Sequence, residues 1–238
     1  MGRAYEVRKA SIQKTGAQKA KLYSNFSKEI YLAAKGGVPD PDCNVVLKRL
    51  IEKAKKNQVP SDIINRAIEK AKGTGNDDYK SVVYEGFGPN SATIMVECLT
   101  DNVNRTVSDV REAFNKSHNK LGVSNSVAYN YDNLSLIGFK YNNEEEIFEL
   151  LLDNNIEIID LEKENDLLVI TCKPSDSSKV KDVLENKFIT IDYEIDETGM
   201  YPKEKVSLNG EDKDSFELLL SKLDNIDDVT NVYHNVEL

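Results

Sequence analysis

Residues 134–172 read LSLIGFKYNNEEEIFELLLDNNIEIIDLEKENDLLVITC, and residues 173–195 continue KPSDSSKVKDVLENKFITIDYEI. The stretch alternates between strand-length apolar runs and segments of helical period. Leu134–Lys140 is the first such run. Glu144–Asn154 follows with Ile147, Leu150 and Leu151 at helical spacing, behind three acids that suit a helix N-terminus. Ile156–Leu161 and Leu167–Cys172 are two further runs joined by a turn at Glu164–Asn165–Asp166. Ser175–Asn186 predicts a second helix and Ile189–Ile195 a closing strand. The order β-α-β-β-α-β is ferredoxin-like, with two helices over one face of an antiparallel sheet.

The flanks of this run belong together. Ahead of it, Val82–Glu85 and Ala92–Leu99 predict strands around a turn at Gly86–Phe87–Gly88–Pro89–Asn90. A helix over Val103–Ser117 carries Val107, Val110 and Phe114, and Val127–Tyr131 reads as a returning strand. Behind it come a strand at Lys205–Leu208, a helix at Asp212–Leu223 and a strand at Val229–Tyr233. The economical account is one α+β domain, residues 79–132 and 202–238, interrupted by an inserted ferredoxin-like domain at 133–201.

Residues 1–78 predict a helical domain that ends in the polar connector Gly73–Asp78. Tyr23, Phe26, Ile30, Ala33 and Ala34 form one apolar face, and Gly36–Gly37 stops that helix. Asn44 is a good N-cap for a second helix with Leu47, Leu50, Ile51 and Ala54 inward. After Pro60 and Ser61, a third helix places Ile64, Ala67, Ile68 and Ala71 on its core side. The fold class is therefore α+β: an N-terminal three-helix domain plus two α+β domains, the third inserted in the second.

Charge divides the chain at the same connector. The 238 residues hold 31 Lys+Arg and 41 Asp+Glu, a net of −10. Residues 1–80 alone carry 17 basic and 9 acidic side chains, a net of +8, leaving −18 for the remainder. A basic head on an acidic body points the head at a polyanion. Arg49, Lys53 and Lys56 lie opposite the core face of the second helix, and Arg66 and Lys70 hold the equivalent places on the third. Upstream, Arg3, Arg8, Lys9, Lys14, Lys19, Lys21 and Lys28 punctuate a stretch with few apolar anchors before Tyr23, expected as a flexible arm that orders on phosphates. These residues, with Arg105, are the candidate nucleic-acid contacts.

No catalytic, metal or cofactor pattern stands out. His118 and His234 are the only histidines, and neither has triad or ligand spacing. Gly86-x-Gly88 precedes a proline and a strand rather than a helix, which rules out a dinucleotide fingerprint. Asp224, Asp227 and Asp228 lie in a loop without EF-hand spacing. Cys43, Cys98 and Cys172 are odd in number and far apart, so a cytoplasmic protein with reduced thiols is expected. No apolar run reaches membrane-span length, and no small-molecule substrate suggests itself. Arg105 opens a predicted helix, capped by Asp101 or Asn102, where its charge opposes the macrodipole. It is expected to pair with a carboxylate such as Glu97 or to face an anionic partner.

Several stretches together resemble the YebC family of probable transcriptional regulators, and most closely its YeeN-type subgroup. They are Asn57–Gln58–Val59–Pro60 with Ile63, Ile64, Arg66, Ala67, Ile68 and Lys70; Tyr84–Glu85–Gly86–Phe87–Gly88–Pro89; Val96–Asn102 with Asn104–Arg105–Thr106; Ser126–Val127–Ala128–Tyr129; and Tyr233–His234–Asn235. The chain departs from the family pattern at Tyr5, where a tryptophan is usual, at Val103 in place of a second basic residue, and at Asn125 in place of glycine. The resemblance implies three domains and no catalytic site. It implies either DNA-binding regulation or, as in the mitochondrial translational activator of cytochrome oxidase, a translation factor binding ribosomal RNA. In both cases the acidic domains are left to repel stray nucleic acid or to meet a basic protein partner.

Overall fold

Asn44, the expected N-cap, organises the first domain. The computed structural model of the protein describes residues 16–73, 78–188 and 190–238. Arg3, Arg8, Lys9 and Lys14 lie outside the described residues, as do Ile189 and the middle of the connector. Helix α1 (Gly16–Lys35) buries Phe26, Ile30, Tyr31 and Ala34. It is already helical from Gly16, so the part of the expected arm nearest Tyr23 is ordered. Helix α2 (Val45–Lys56) starts where Asn44 Oδ1 accepts the Leu47 N–H at 3.0 Å, while Asn44 Nδ2 donates to Ala33 O and Val38 O. The helix ends in a Schellman turn: Val59 N bonds Ala54 O at 3.0 Å, Gln58 N bonds Lys55 O at 2.9 Å, and Gln58 takes φ 60°. Pro60 then starts helix α3 (Ser61–Lys72), which buries Ile64, Ala67 and Ile68. The family stretch Asn57–Pro60 is thus the hinge-free corner between two helices.

The chain then forms β1 (Lys80–Phe87), β2 (Thr93–Thr100), α4 (Val103–Lys116) and β3 (Lys120–Leu121). The inserted segment supplies β4 (Tyr131–Lys140), α5 (Glu144–Asp153), β5 (Asp160–Glu164), β6 (Leu167–Cys172), α6 (Ser177–Lys187) and β7 (Tyr193–Pro202). The return adds β8 (Val206–Ser207), α7 (Gly210–Asp224), β9 (Val229–His234) and β10 (Val236–Glu237). The inserted sheet runs β5-β6-β4-β7, antiparallel throughout, which is the ferredoxin-like order. Its odd and even positions both bury apolar side chains: Ile137, Phe139, Leu168 and Ile170 under α5 and α6, Leu134, Leu136, Leu167 and Val169 on the other face. Gly138 sits at a register shift where a Cβ would come within 2.9 Å of Ile195 Cβ.

The interrupted domain has the sheet β3-β1-β2-β9. Ala92, Ile94, Val96 and Cys98 of its central region pack against Val110 and Phe114 of α4 and Phe216, Leu219 and Leu223 of α7. The architecture is α+β, with an N-terminal helical domain and two α+β domains, the third inserted in the second. By internal contacts, residues 16–128 and Lys205–Leu238 form one unit, and Tyr129–Glu204 another.

Four expected strands change, one of them the closing strand read at Ile189–Ile195, which begins at Tyr193 and runs on to Pro202. The strand expected at Val127–Tyr131 does not form in this sheet: Ala128–Asn130 is a 3₁₀ turn, Tyr131 already opens β4, and the short β3 takes the edge beside β1 instead. The cause is Glu85. Its buried carboxylate accepts Asn125 N at 2.6 Å, Val127 N at 2.6 Å and Ala128 N at 3.0 Å, so those donors are withdrawn from any ladder. The strand expected at Ile156–Leu161 begins only at Asp160, because Asn155 and Ile156 still close the end of α5, with Ile156 N on Leu151 O, and the first bond to β6 is made by Ile159 N on Thr171 O. The strand expected at Lys205–Leu208 shrinks to β8 and pairs in parallel with β10, apart from the main sheet.

Candidate nucleic-acid interface

The basic residues fall into two groups. On the outer side of α2 and α3, Lys56, Arg66 and Lys70 are exposed and Arg49 and Lys53 half-exposed, as the helical spacing requires once Leu47, Ile51, Ile64 and Ala67 turn inward. Lys19 is exposed on α1. Lys70 Nζ lies 5.5 Å, and Lys35 Nζ 5.3 Å, from the centroid of the buried Tyr31 ring, so an aromatic face anchors one end of this surface. Tyr31 packs edge-on against Tyr79 at 5.8 Å. Burial pushes the Glu29 carboxyl up, while the charge of nearby Lys53 opposes that shift.

Lys21, Lys28 and Arg105 form the second group, and each meets a carboxylate. Lys21 Nζ donates to Asp224 O at 2.6 Å and lies 3.4 Å from Asp224 Oδ1. Burial draws the Lys21 pKa down against the pull of Asp224. Lys28 Nζ reaches Asp228 Oδ1 at 3.1 Å, Leu99 O at 3.1 Å and Asp227 O at 3.3 Å. Arg105 Nη2 donates to Asp228 Oδ2 at 2.7 Å and to Asp101 Oδ1 at 2.9 Å. The Asp228 side chain is only 9% exposed, and it also accepts from Thr100 Oγ1 at 3.0 Å and Thr106 Oγ1 at 2.9 Å. Burial alone would raise its pKa, but the hydrogen bonds from Arg105, Thr106, Lys28 and Thr100 prevail and hold it down at about 2.

Arg105 therefore pairs with Asp228 and Asp101. The expected alternative, Glu97, is engaged by Asn231 Nδ2 at 3.0 Å and Tyr233 Oη at 3.2 Å. Asn102 is the N-cap, accepting the Arg105 N–H at 3.1 Å. Beside the Asp228 cluster a cleft of about 780 Å³ is lined by both signs of charge, including Lys28, Arg105, Asp109, Glu112, Lys116 and Lys222. Cys98, next to it, is inert: burial and the Asp228 charge push its thiol up to about 12. Among the described residues, no group of three or more His, Cys, Asp or Glu side chains is placed to hold a metal ion.

Residues 3–74 match the family model described as "TACO1/YebC protein N-terminal domain", and residues 79–236 match "TACO1/YebC second and third domain". The chain belongs to the TACO1/YebC family. Two relatives in that family bear the name "Probable transcriptional regulatory protein". One, from Alcanivorax borkumensis, is 41% identical over all of both chains, and the other, from Acholeplasma laidlawii, is 45% identical over 99% of this chain and 98% of its own. The conserved hypothetical protein Aq1575 from Aquifex aeolicus, a solved structure, shares 32% identity and superposes with a TM-score of 0.75 over 94% of this chain and 92% of that one. TACO1/YebC is a family of regulatory names, not of enzymes.

Against the TACO1/YebC motifs, the structure gives most of the matching residues a mechanical task. Asn57–Pro60 turns a corner, Glu85 clamps Asn125, Val127 and Ala128, and Thr100, Arg105 and Thr106 hold Asp228. Asp228 is the residue that sequence reasoning missed. Its signal was present in the acidic run Asp224–Asp228 between a helix end and a strand, but only a contact 200 positions away gives that run a purpose.

Proposed function

We propose that the chain is a regulatory protein that binds nucleic acid, DNA first, along the outer face of α2 and α3. The observation that carries this is where the cations lie. By helical spacing Arg49, Lys53, Lys56, Arg66 and Lys70 turn away from the core faces of α2 and α3 and are exposed or half-exposed, while Lys21, Lys28 and Arg105 sit against carboxylates of the body. Such a surface gains affinity by releasing counterions from phosphates, without any base-reading group. The names of the relatives support a role in transcription. Free Cys43, Cys98 and Cys172 suit the cytoplasm, and the acidic excess of the remaining chain suits a basic protein partner.

A second target, ribosomal RNA, is favoured by one feature. Glu52, Asp62 and Glu69 are exposed among the cations, so the face is a scatter of point charges rather than a reading helix, which suits recognition by shape. The test is a salt titration of duplex binding by the wild type and by the Arg49→Ala, Lys53→Ala, Lys56→Ala, Arg66→Ala variant. Four lost phosphate contacts flatten the log–log slope by about 3.6 units. An unchanged slope rejects this face. Salt-sensitive co-migration with ribosomes on a sucrose gradient, with no preference among promoter duplexes, would transfer the reading to RNA.

A further inference from the structure

Val38, Val45 and Val46 are 50%, 62% and 70% exposed, and the Val38 backbone is held at the start of the helix that opens with Val45 and Val46. Asn44 joins them: its side chain binds Val38 O at 3.0 Å, and Val45 is the next residue. The loop that presents them is built rather than slack. Asp42 N donates to Asp40 Oδ1 at 3.0 Å, Cys43 N donates to Asp40 O at 3.1 Å, and Pro39 and Pro41 restrict the backbone between. An apolar tip held in this way loses little entropy when it is covered.

The tip is continuous with the basic face. At 100° per residue, Val45, Arg49 and Lys56 fall along the line of α2 opposite Leu47, Ile51 and Ala54, with Val46 and Lys53 beside it. At the tip itself, Asp40 and Asp42 offset Lys35 and Lys48, so phosphate is not favoured there. Arg49 follows Val45 by about 6 Å along the helix axis. The major groove of a duplex is about 12 Å wide, which puts its phosphate walls about 6 Å from its middle.

We infer that Val38, Val45 and Val46 enter a groove of the bound nucleic acid and pack on sugar and base edges, while Arg49 holds a flanking phosphate and Lys53 and Lys56 reach phosphates farther from the tip. The inference rests on the proposed nucleic-acid function and adds to it an apolar, salt-independent part of the binding energy. Charge selects this occupant: the tip opens onto a face of α2 where Arg49, Lys53 and Lys56 outnumber Glu52, which favours a polyanion over a second copy of the same basic head.

Two variants separate the parts, measured by anisotropy on a labelled 20-base-pair duplex DNA and on duplex RNA of the same sequence. Val45→Ser with Val46→Ser alters only the first two positions of α2, where serine is well accepted, and Val38→Ser lies outside the helix. Each is first checked for wild-type helix content. The double valine variant should bind about ten-fold more weakly at every salt concentration with an unchanged slope, and Val38→Ser about three-fold more weakly. Arg49→Ala with Lys53→Ala should instead flatten the slope by about 1.8 units. Whichever duplex loses affinity with the valine variants identifies the groove. If both valine variants bind both duplexes as the wild type does, the tip serves another partner and the inference is overturned. Wild-type protein that binds neither duplex would remove the nucleic-acid function itself.

Discussion

Lys28 Nζ lies 3.1 Å from Asp228 Oδ1, although 200 positions separate the two residues. The pair joins α1 to the turn after α7, and Arg105 approaches the same carboxylate from α4. A single acid thus serves three elements.

The carboxyl at Asp228 titrates at about 2, below its ordinary value, so its contribution to stability is complete above about pH 5 and is lost as the pH falls through 2. Asp228→Asn should cost on the order of 2 kcal/mol at pH 7, and the gap from wild type should close towards pH 2. Urea unfolding at stepped pH measures both. A gap that does not vary with pH would show that charge is not what Asp228 supplies.

Lys28→Ala and Arg66→Ala should part company. Lys28, 13% exposed and tied to Asp228, is expected to lower stability while leaving the salt slope of nucleic-acid binding as it was. Arg66, exposed on α3, should leave stability within about 0.5 kcal/mol and flatten the slope by about 0.9. Denaturation and binding titrations on the same preparations decide it.

Glu85→Gln should be poorly tolerated. Both carboxylate oxygens accept backbone N–H groups, so the amide nitrogen must point a donor at a donor whichever way it turns. A loss of about 3 kcal/mol is expected, with faster hydrogen exchange at Asn125, Val127 and Ala128.

Gln58→Gly should stabilise the protein. Gln58 holds φ 60°, where a Cβ is unfavourable, and its side chain is exposed. Glycine there should gain about 1 kcal/mol, visible as a rise of a few degrees in the melting of the helical domain.

The three thiols should differ in rate. Cys43 is exposed, whereas Cys98 and Cys172 are buried with thiols pushed up to about 12 and about 11. A disulfide reagent at pH 8 should modify one thiol quickly and the other two only on unfolding.

What the sequence made legible was local. Asn44 as a cap, a second cap at Asp101 or Asn102, Gly36 as a stop and the strand–helix order of residues 134–195 all follow from chemistry within a few positions. The inserted sheet was readable because its runs are apolar on both faces. The misread strand at 127–131 shows the opposite case, since Val127 and Ala128 have strand-like side chains but their N–H groups go to Glu85, some forty residues earlier. The candidate site divides in the same way. The outward cations of α2 and α3 came from helical spacing, but nothing local to Lys21, Lys28 or Arg105 reveals Asp224 and Asp228, and nothing local to Val45 shows that no core covers it.

The position of Asp228 in the chain also sets a timetable. Strand β9, which begins at the next residue, pairs with β2, so both the sheet edge and the seat for Lys28 arrive with residues 228–234. During synthesis the head helices and strands β1 and β2 leave the exit tunnel long before these partners exist. Residues 129–204 can complete their own sheet from nearby strands in the meantime. Until then Lys28 has the Leu99 carbonyl at the end of β2 but no carboxylate, so the ion pair that holds the basic head is completed only with residue 228.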